Sequence, residues 1–170
     1  VTAPADEVYR RRSARVLLVD DTDRVLLFRW PKAAGDPEAG HCWITPGGGV
    51  EEGETLSVAA ARELREETGL IVSPEELGPQ VAVASGYADL GWARGVFRDD
   101  FFLFRTPARD IDTAGFTLME REHVSAHRWW RIEEMESVEE PIYPLMLAEL
   151  LTELLAGRTP SEPVRLPWHH

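Results

Sequence analysis

Between Ala14 and Trp30 the chain reads "ARVLLV", "DDTD" and "RVLLFRW". Two short aliphatic runs around a polar turn predict a hairpin of strands at 14–19 and 24–30. "PKAAGDPEAGH" (31–41) follows with neither a strand nor a helix period, and predicts a loop large enough to border a pocket. "CWIT" resumes strand character before Pro46 and the glycines 47–49 interrupt it. From Thr55 to Thr68 the pattern is helical, with Thr55 as N-cap and Gly69 placed for a left-handed C-terminal cap. Residues 80–90 and 96–105 predict two further strands, 106–124 a long loop, and "HRWWRI" (127–132) a last strand. Leucines at helical spacing in "YPLMLAELLTELLAG" predict an amphipathic helix over 143–157. The Pro-rich residues 157–170 are expected to fray or pack as coil. Strands interleaved with two helices give an α/β class, read as one domain over 1–170 with its core at about 14–156.

Size supports that reading, since 170 residues with 44% apolar content suffice for one buried core. Charge narrows the partners. A net charge of −12, with Lys32 the only lysine, opposes binding of long DNA or RNA through a basic patch. A small phosphorylated ligand fits if a metal supplies positive charge. Cys42 is alone, so an internal disulfide or zinc cluster is excluded and a reducing, cytoplasmic setting is expected. "RRRSARVLLV" has the look of an export signal, but its apolar run 16–19 stops at Asp20 and reads as a strand. No run approaches membrane-spanning length, so no membrane partner is expected. His41, His123 and His127 lack zinc-like spacing, and one of Trp129 and Trp130 must face the core if the segment is extended.

The chemistry concentrates in "GGGVEEGETLSVAAARELREETGL", residues 47–70. On a helix, Glu63, Glu66 and Glu67 stand at i, i+3 and i+4, three like charges on one face that repel one another. Ala60, Ala61 and Leu64 lie to one side and can face a core. Clustered carboxylates of this kind suit Mg²⁺ or Mn²⁺, which are commonly shared with substrate phosphates. Gly47, Gly48 and Gly49 let the main chain approach an ion or a phosphate closely. Arg62 stands where it can reach Glu66 or Glu54 and hold the carboxylates in place.

Gly48, Glu54, Arg62-Glu63-Leu64, Glu66-Glu67 and Gly69-Leu70 fall at spacings that resemble the Nudix box, with all nine specified positions filled across twenty-three residues. The strand pair before it, the "W-x-x-PGGG" entry and the "RWW" strand followed by "IEEME" are also similar to Nudix hydrolases. The resemblance implies an α/β/α sandwich with a mixed β-sheet. It implies metal-dependent hydrolysis of a diphosphate bond in a nucleoside diphosphate linked to another moiety: a nucleotide sugar, ADP-ribose, a dinucleoside polyphosphate or a modified nucleoside triphosphate. Glu63, Glu66 and Glu67 would hold Mg²⁺ or Mn²⁺, with Glu54 and the Gly47 carbonyl as further ligands or supports. Arg62 would orient the carboxylates, and Glu63 or Glu67 would lie near the attacking water.

Some relatives take their general base from a loop outside the box, which makes Glu120 and Glu122 in "MEREH" the candidates here. Phe28, Trp30, Tyr87 and Trp92 are the candidates for stacking a base. Where ADP-ribose-cleaving members often carry a proline, this chain has Ser85 and Gly86, while Tyr87 resembles a tyrosine of the dinucleoside polyphosphate group. A non-catalytic nucleotide sensor and an isopentenyl-diphosphate-isomerase-like enzyme using Cys42 stand as alternatives, and a homodimer stays open.

Overall fold

From Ala14 to Val19 every residue is apolar except Arg15, the pattern of a strand covered on both faces. The computed structural model, which describes residues 9–169, puts that run at the centre of a mixed sheet. Strand β1 (Arg11–Asp20) pairs in parallel with β6 (Arg94–Thr106) over ten positions, from Arg11 opposite Phe97 to Asp20 opposite Thr106. On its other side β1 meets β2 (Val25–Pro31) near the hairpin turn and β4 (Gly47–Gly49) near its start, both antiparallel. The turn is tied by Asp20, whose buried carboxylate accepts from the Thr22 and Arg24 backbone N–H groups and from both of their side chains.

The remaining strands are β3 (His41–Ile44), β5 (Ala82–Asp89), β7 (Ala126–Trp130), β8 (Ile142–Tyr143) and β9 (Val164–Leu166). Their order is β8-β3-β2-β1-β6-β5-β9, with β4 on β1 and β7 on β2. Strand alternation sends Val16, Leu18, Leu26, Phe28 and Phe102 to one face, where helix α1 (Leu56–Thr68) packs Ala59, Ala60 and Leu64 against them. Leu17, Val19, Val25, Leu27 and Phe101 point to the other face, against Leu147, Leu150, Leu151 and Leu154. Those leucines belong to helix α4 (Leu147–Leu155), so the sheet lies between helices, an α/β/α sandwich. Two shorter helices, α2 (Leu118–His123) and α3 (Ile132–Met135), flank β7.

Four sequence expectations need correction. The three glycines do not simply break the chain but form β4, because an extended glycine edge is what fits beside β1. The loop expected over 106–124 contains α2, started by a reciprocal cap between Thr117 and Glu120. The last helix begins only at Leu147, since β8 pairs with β3 and Met146 takes a left-handed conformation with φ 65°. The tail is not coil: β9 adds in parallel to the β5 edge and buries Leu166 in the α4 core. Trp130 is buried and Trp129 packs partly on the opposite face, as alternation requires. Residues 1–8 and 170 of the expected domain lie outside the described residues. Among the described residues no helix is long and apolar enough to cross a membrane.

Leu151, 1% exposed, sits in the centre of the α4 core. Leu151→Ala should lower unfolding free energy by about 2–5 kcal/mol in a urea titration, from lost burial plus the cavity left behind. A change below about 0.5 kcal/mol, the size of an ordinary surface substitution, would show that α4 does not pack as described.

Candidate active site

The site begins with the short distance between β4 and α1. A Cβ on Gly47, whose φ is 141°, would lie 2.4 Å from the Ala14 carbonyl oxygen. One on Gly48 would lie 2.5 Å from the Glu63 carboxylate. Only glycine lets the helix face close onto the strand. The Gly47 N–H then donates to Glu67 Oε2 at 2.9 Å.

Arg62 ties the loop to the helix. Its Nε and Nη2 donate to the two Glu54 oxygens at 2.8 and 2.9 Å, Nη2 also to the Gly49 carbonyl at 3.0 Å, and Nη1 to Glu63 and Glu66 at 2.9 and 3.4 Å. These contacts, led by the paired bonds to Glu54, raise the already high guanidinium pKa further. Glu54 is held low by Arg62 and also caps the Glu51 N–H at 2.8 Å. Gly69 closes α1 in the left-handed region at φ 76°, donating its N–H to the Arg65 carbonyl.

Across the pocket α2 contributes Glu120. Its backbone N–H donates to Thr117 Oγ1 at 3.3 Å and its Oε1 accepts the Thr117 N–H at 2.9 Å, so the cap aims the side chain inward. Glu63, Glu67 and Glu120 each offer an oxygen, and these atoms lie within 4.8 Å of one another, all three residues being buried. Burial first, then the Glu120 contact and the Glu63 and Glu120 charges, push the Glu67 carboxyl well above its usual range, against the Gly47 N–H. Burial also raises Glu63, with Arg62 pulling the other way. Three hard oxygen donors converge, and of the three residues Arg62 bonds Glu63. This donor set fits Mg²⁺ or Mn²⁺.

The other candidates separate. Glu66 is turned toward Arg62, outside the three-carboxylate group, and Glu122 is exposed on α2. Phe28 is fully buried, with edge contacts to Phe116 and His127, so the expectation that it stacks a base is corrected: no face is open to a ligand. Trp30 borders both the pocket holding the three glutamates and a cavity of about 750 Å³ beside it. Trp92 lines that cavity from the β5–β6 turn, whereas Tyr87 is 60% exposed and is not among its lining residues. Cys42 lines the cavity too, where burial raises its thiol pKa.

Sequence reading missed Arg11 and Arg15, which line the glutamate pocket. Burial first, and Arg15 second, lower the Arg11 pKa, while Asp99 and Glu63 oppose them. Arg15 donates to the Thr45 carbonyl at 3.2 Å and to Asp99 at 3.4 Å. The signal was present in "RRRSAR": once this is a strand, Arg11, Ser13 and Arg15 share one face, and two cations fall beside the glycine edge.

Comparison with known proteins identifies the family. The NUDIX domain profile matches residues 9–150. The chain is 34% identical over 141 residues to an RNA pyrophosphohydrolase of Caulobacter vibrioides, covering 76% of each protein. Its fold is similar to the E. coli ORF135 protein, with TM-score 0.62 and 24% identity over 94% of this chain and 100% of that one. It is also similar to the E. coli dihydroneopterin triphosphate pyrophosphohydrolase, with TM-score 0.59 and 24% identity over 89% and 99%. The chain belongs to the Nudix family. It is a Nudix pyrophosphohydrolase, of the class that hydrolyses pyrophosphate bonds in nucleotide-linked substrates.

Gly48→Ala should leave the fold standing, because the clashing group is the far end of the Glu63 side chain, yet move that carboxylate. The melting temperature should stay within a few degrees while Mn²⁺ affinity, measured by titration calorimetry, falls at least about tenfold. Wild-type affinity would remove Glu63 from the ion site. A second outcome follows from the raised Glu63 and Glu67 carboxyls. In the ion-free protein their contribution to stability is greatest below the unfolded pKa of about 4.3 and declines as pH rises through the folded values. An ion held by both carboxylates needs them deprotonated, so thermal stabilisation by millimolar Mg²⁺ should grow as pH rises above the unfolded carboxyl range. A shift independent of pH would contradict this coupling.

Proposed function

We propose that this protein uses Mg²⁺, with Mn²⁺ as a substitute, to hydrolyse the diphosphate bond of a small nucleoside diphosphate linked to a second moiety. The observation that carries the proposal is the convergence of Glu63, Glu67 and Glu120 within 4.8 Å, in a pocket shared with Arg11 and Arg15. Glu63 and Glu67 hold the ion, with Arg62 and the Gly47 N–H fixing their geometry. When bound, the ion offsets phosphate charge and lowers the pKa of its water. Arg11 and Arg15 draw the phosphate oxygens toward the glycine edge. The adjoining cavity of about 750 Å³, with Trp30 and Trp92 on its walls, takes the nucleoside.

Glu120 is the general base in this reading. Its backbone and one oxygen are fixed by Thr117, it comes from outside the box helix, and it is buried where Glu122 is exposed. The Caulobacter relative named an RNA pyrophosphohydrolase makes a 5′-triphosphorylated RNA a necessary comparison substrate. The net charge of −12 favours the small ligand.

A panel of nucleotide sugars, ADP-ribose, dinucleoside polyphosphates, nucleoside triphosphates and 5′-triphosphorylated RNA, assayed with Mg²⁺, tests the reading. Products of P–O–P cleavage that vanish with chelator and return with Mg²⁺ support it. Ligand-dependent thermal shifts without turnover would make the chain a sensor. On the best substrate Glu120→Gln should lower kcat and kcat/KM together by about 10²–10⁴-fold with KM little changed, while Glu122→Gln stays near wild type. Unaltered kcat in Glu120→Gln would return the base to Glu63.

A further inference from the structure

The cavity beside the glutamates has its floor in the middle of the sheet: Arg15 of β1, Cys42 and Ile44 of β3, and Phe101 of β6. Its far side is unusual. Strands β8 and β9 stand at opposite ends of the sheet order, yet residues from or just beyond them meet. The His169 ring, three residues past β9, stacks on Tyr143 of β8 with centroids 4.2 Å apart and planes inclined by 22°. Both residues line the cavity. The sheet curls, and the end of the described chain joins its two edges over the cavity.

The join is anchored in three ways. Val164 donates its N–H to the Val81 carbonyl at 2.9 Å, and Leu166 is buried in the α4 core. Trp168 Nε1 donates to the Tyr87 carbonyl at 3.1 Å. The indole also lies directly on Gly86, where a Cβ would come within 2.3 Å of Trp168 Cδ1. Gly86 is therefore glycine for space: its missing side chain is the seat of Trp168.

We propose that Val164–His169 is a strap that completes the nucleoside end of the substrate cavity, with Tyr143, backed by His169, as its specificity-determining wall and Trp168 as the residue that positions His169. The inference rests on the assignment of this cavity to the nucleoside. Trp168 lies against His169 in turn, with ring centroids 4.6 Å apart, so the ring of this stack that can meet a planar base is Tyr143, and base–aromatic stacking is tolerant of which base is bound. Because the strap spans the far side, it limits what can extend beyond the base, favouring a mononucleotide moiety over a polymer end.

The test separates the two ends of the ligand. Inhibition constants are measured for a nucleoside monophosphate and for inorganic pyrophosphate, which lacks a base, against the best substrate. In His169→Ala and Trp168→Ala the monophosphate constant and the substrate KM should rise roughly tenfold, the scale of one lost stacking contact, with kcat and the pyrophosphate constant unchanged. Gly86→Ala should reproduce Trp168→Ala by unseating the indole, and exposed Glu162→Ala serves as the control. Equal weakening of both inhibitors, or no change in the monophosphate constant in a variant that melts like wild type, overturns the strap. If His169→Ala and Gly86→Ala both melt early, monophosphate binding to protein with the strap unaltered decides. In protein carrying Trp30→Phe and Trp92→Phe, tryptophan fluorescence that changes with monophosphate but not pyrophosphate supports the strap, and an unchanged signal with both overturns it. Absence of turnover across the panel in the wild type would instead remove the catalytic reading, and calorimetric binding of the monophosphate would still report on the strap.

Discussion

The arrangement depends on one guanidinium. Arg62 faces Glu54, Glu63 and Glu66 and the carbonyl of Gly49 at once, and so fixes the glycine strand, the loop after it and the acidic face of α1 in a single geometry. A planar fork with five donors can do this; a lysine ammonium could not span a bidentate carboxylate and a carbonyl together. With the side chain 17% exposed, these bonds are largely shielded from water and from screening by salt.

What Arg62 leaves uncompensated is as informative as what it binds. Among the described residues Glu67 accepts the Gly47 N–H and Glu120 the Thr117 N–H, while both approach each other and Glu63. Burying carboxylates so close together opposes folding, and the sandwich offsets it with two apolar layers, small alanines drawing α1 onto the sheet and four leucines seating α4. The helix face is thus kept in an electrostatically unfavourable state by packing elsewhere, which is how a binding site persists without its ligand.

Much of this was legible from residue order. The hairpin, the box helix with its caps, and the carboxylate face follow from local period and end signals that tertiary packing does not override. Other features depended on neighbours distant in sequence. The glycines read as a break because their pairing with Ser13–Arg15 lies more than thirty residues back along the chain. Arg11 and Arg15 lay in a segment with the look of an export signal, and only the pairing of the strand with the glycine edge gave them a face on the pocket. Phe28 looked available for stacking because an isolated strand cannot reveal that Phe116 and His127 cover its ring. The tail read as coil because Pro167 and its neighbours carry no period, and only the open edge of β5 makes Val164–Leu166 a strand. Residue order offered Glu120 and Glu122 together, with the apolar "FTLM" before them favouring Glu120; the reciprocal cap between Thr117 and Glu120 is what separates them.

The parallel register of β1 and β6 has a bearing on how the molecule comes into being. Arg11 waits for Phe97, and Asp20 for Thr106, so the longest strand pair in the sheet closes only after most of the chain is available. Loop closure of that span carries a large entropic barrier, and folds dominated by such contacts form slowly. During synthesis the box helix emerges early, its glutamates still apart from Glu120, whose helix follows β6. The acidic pocket is therefore a late product of folding. Chain that has emerged only in part carries the motif in its sequence but not the three-carboxylate centre, and assembly of the site coincides with completion of the sheet.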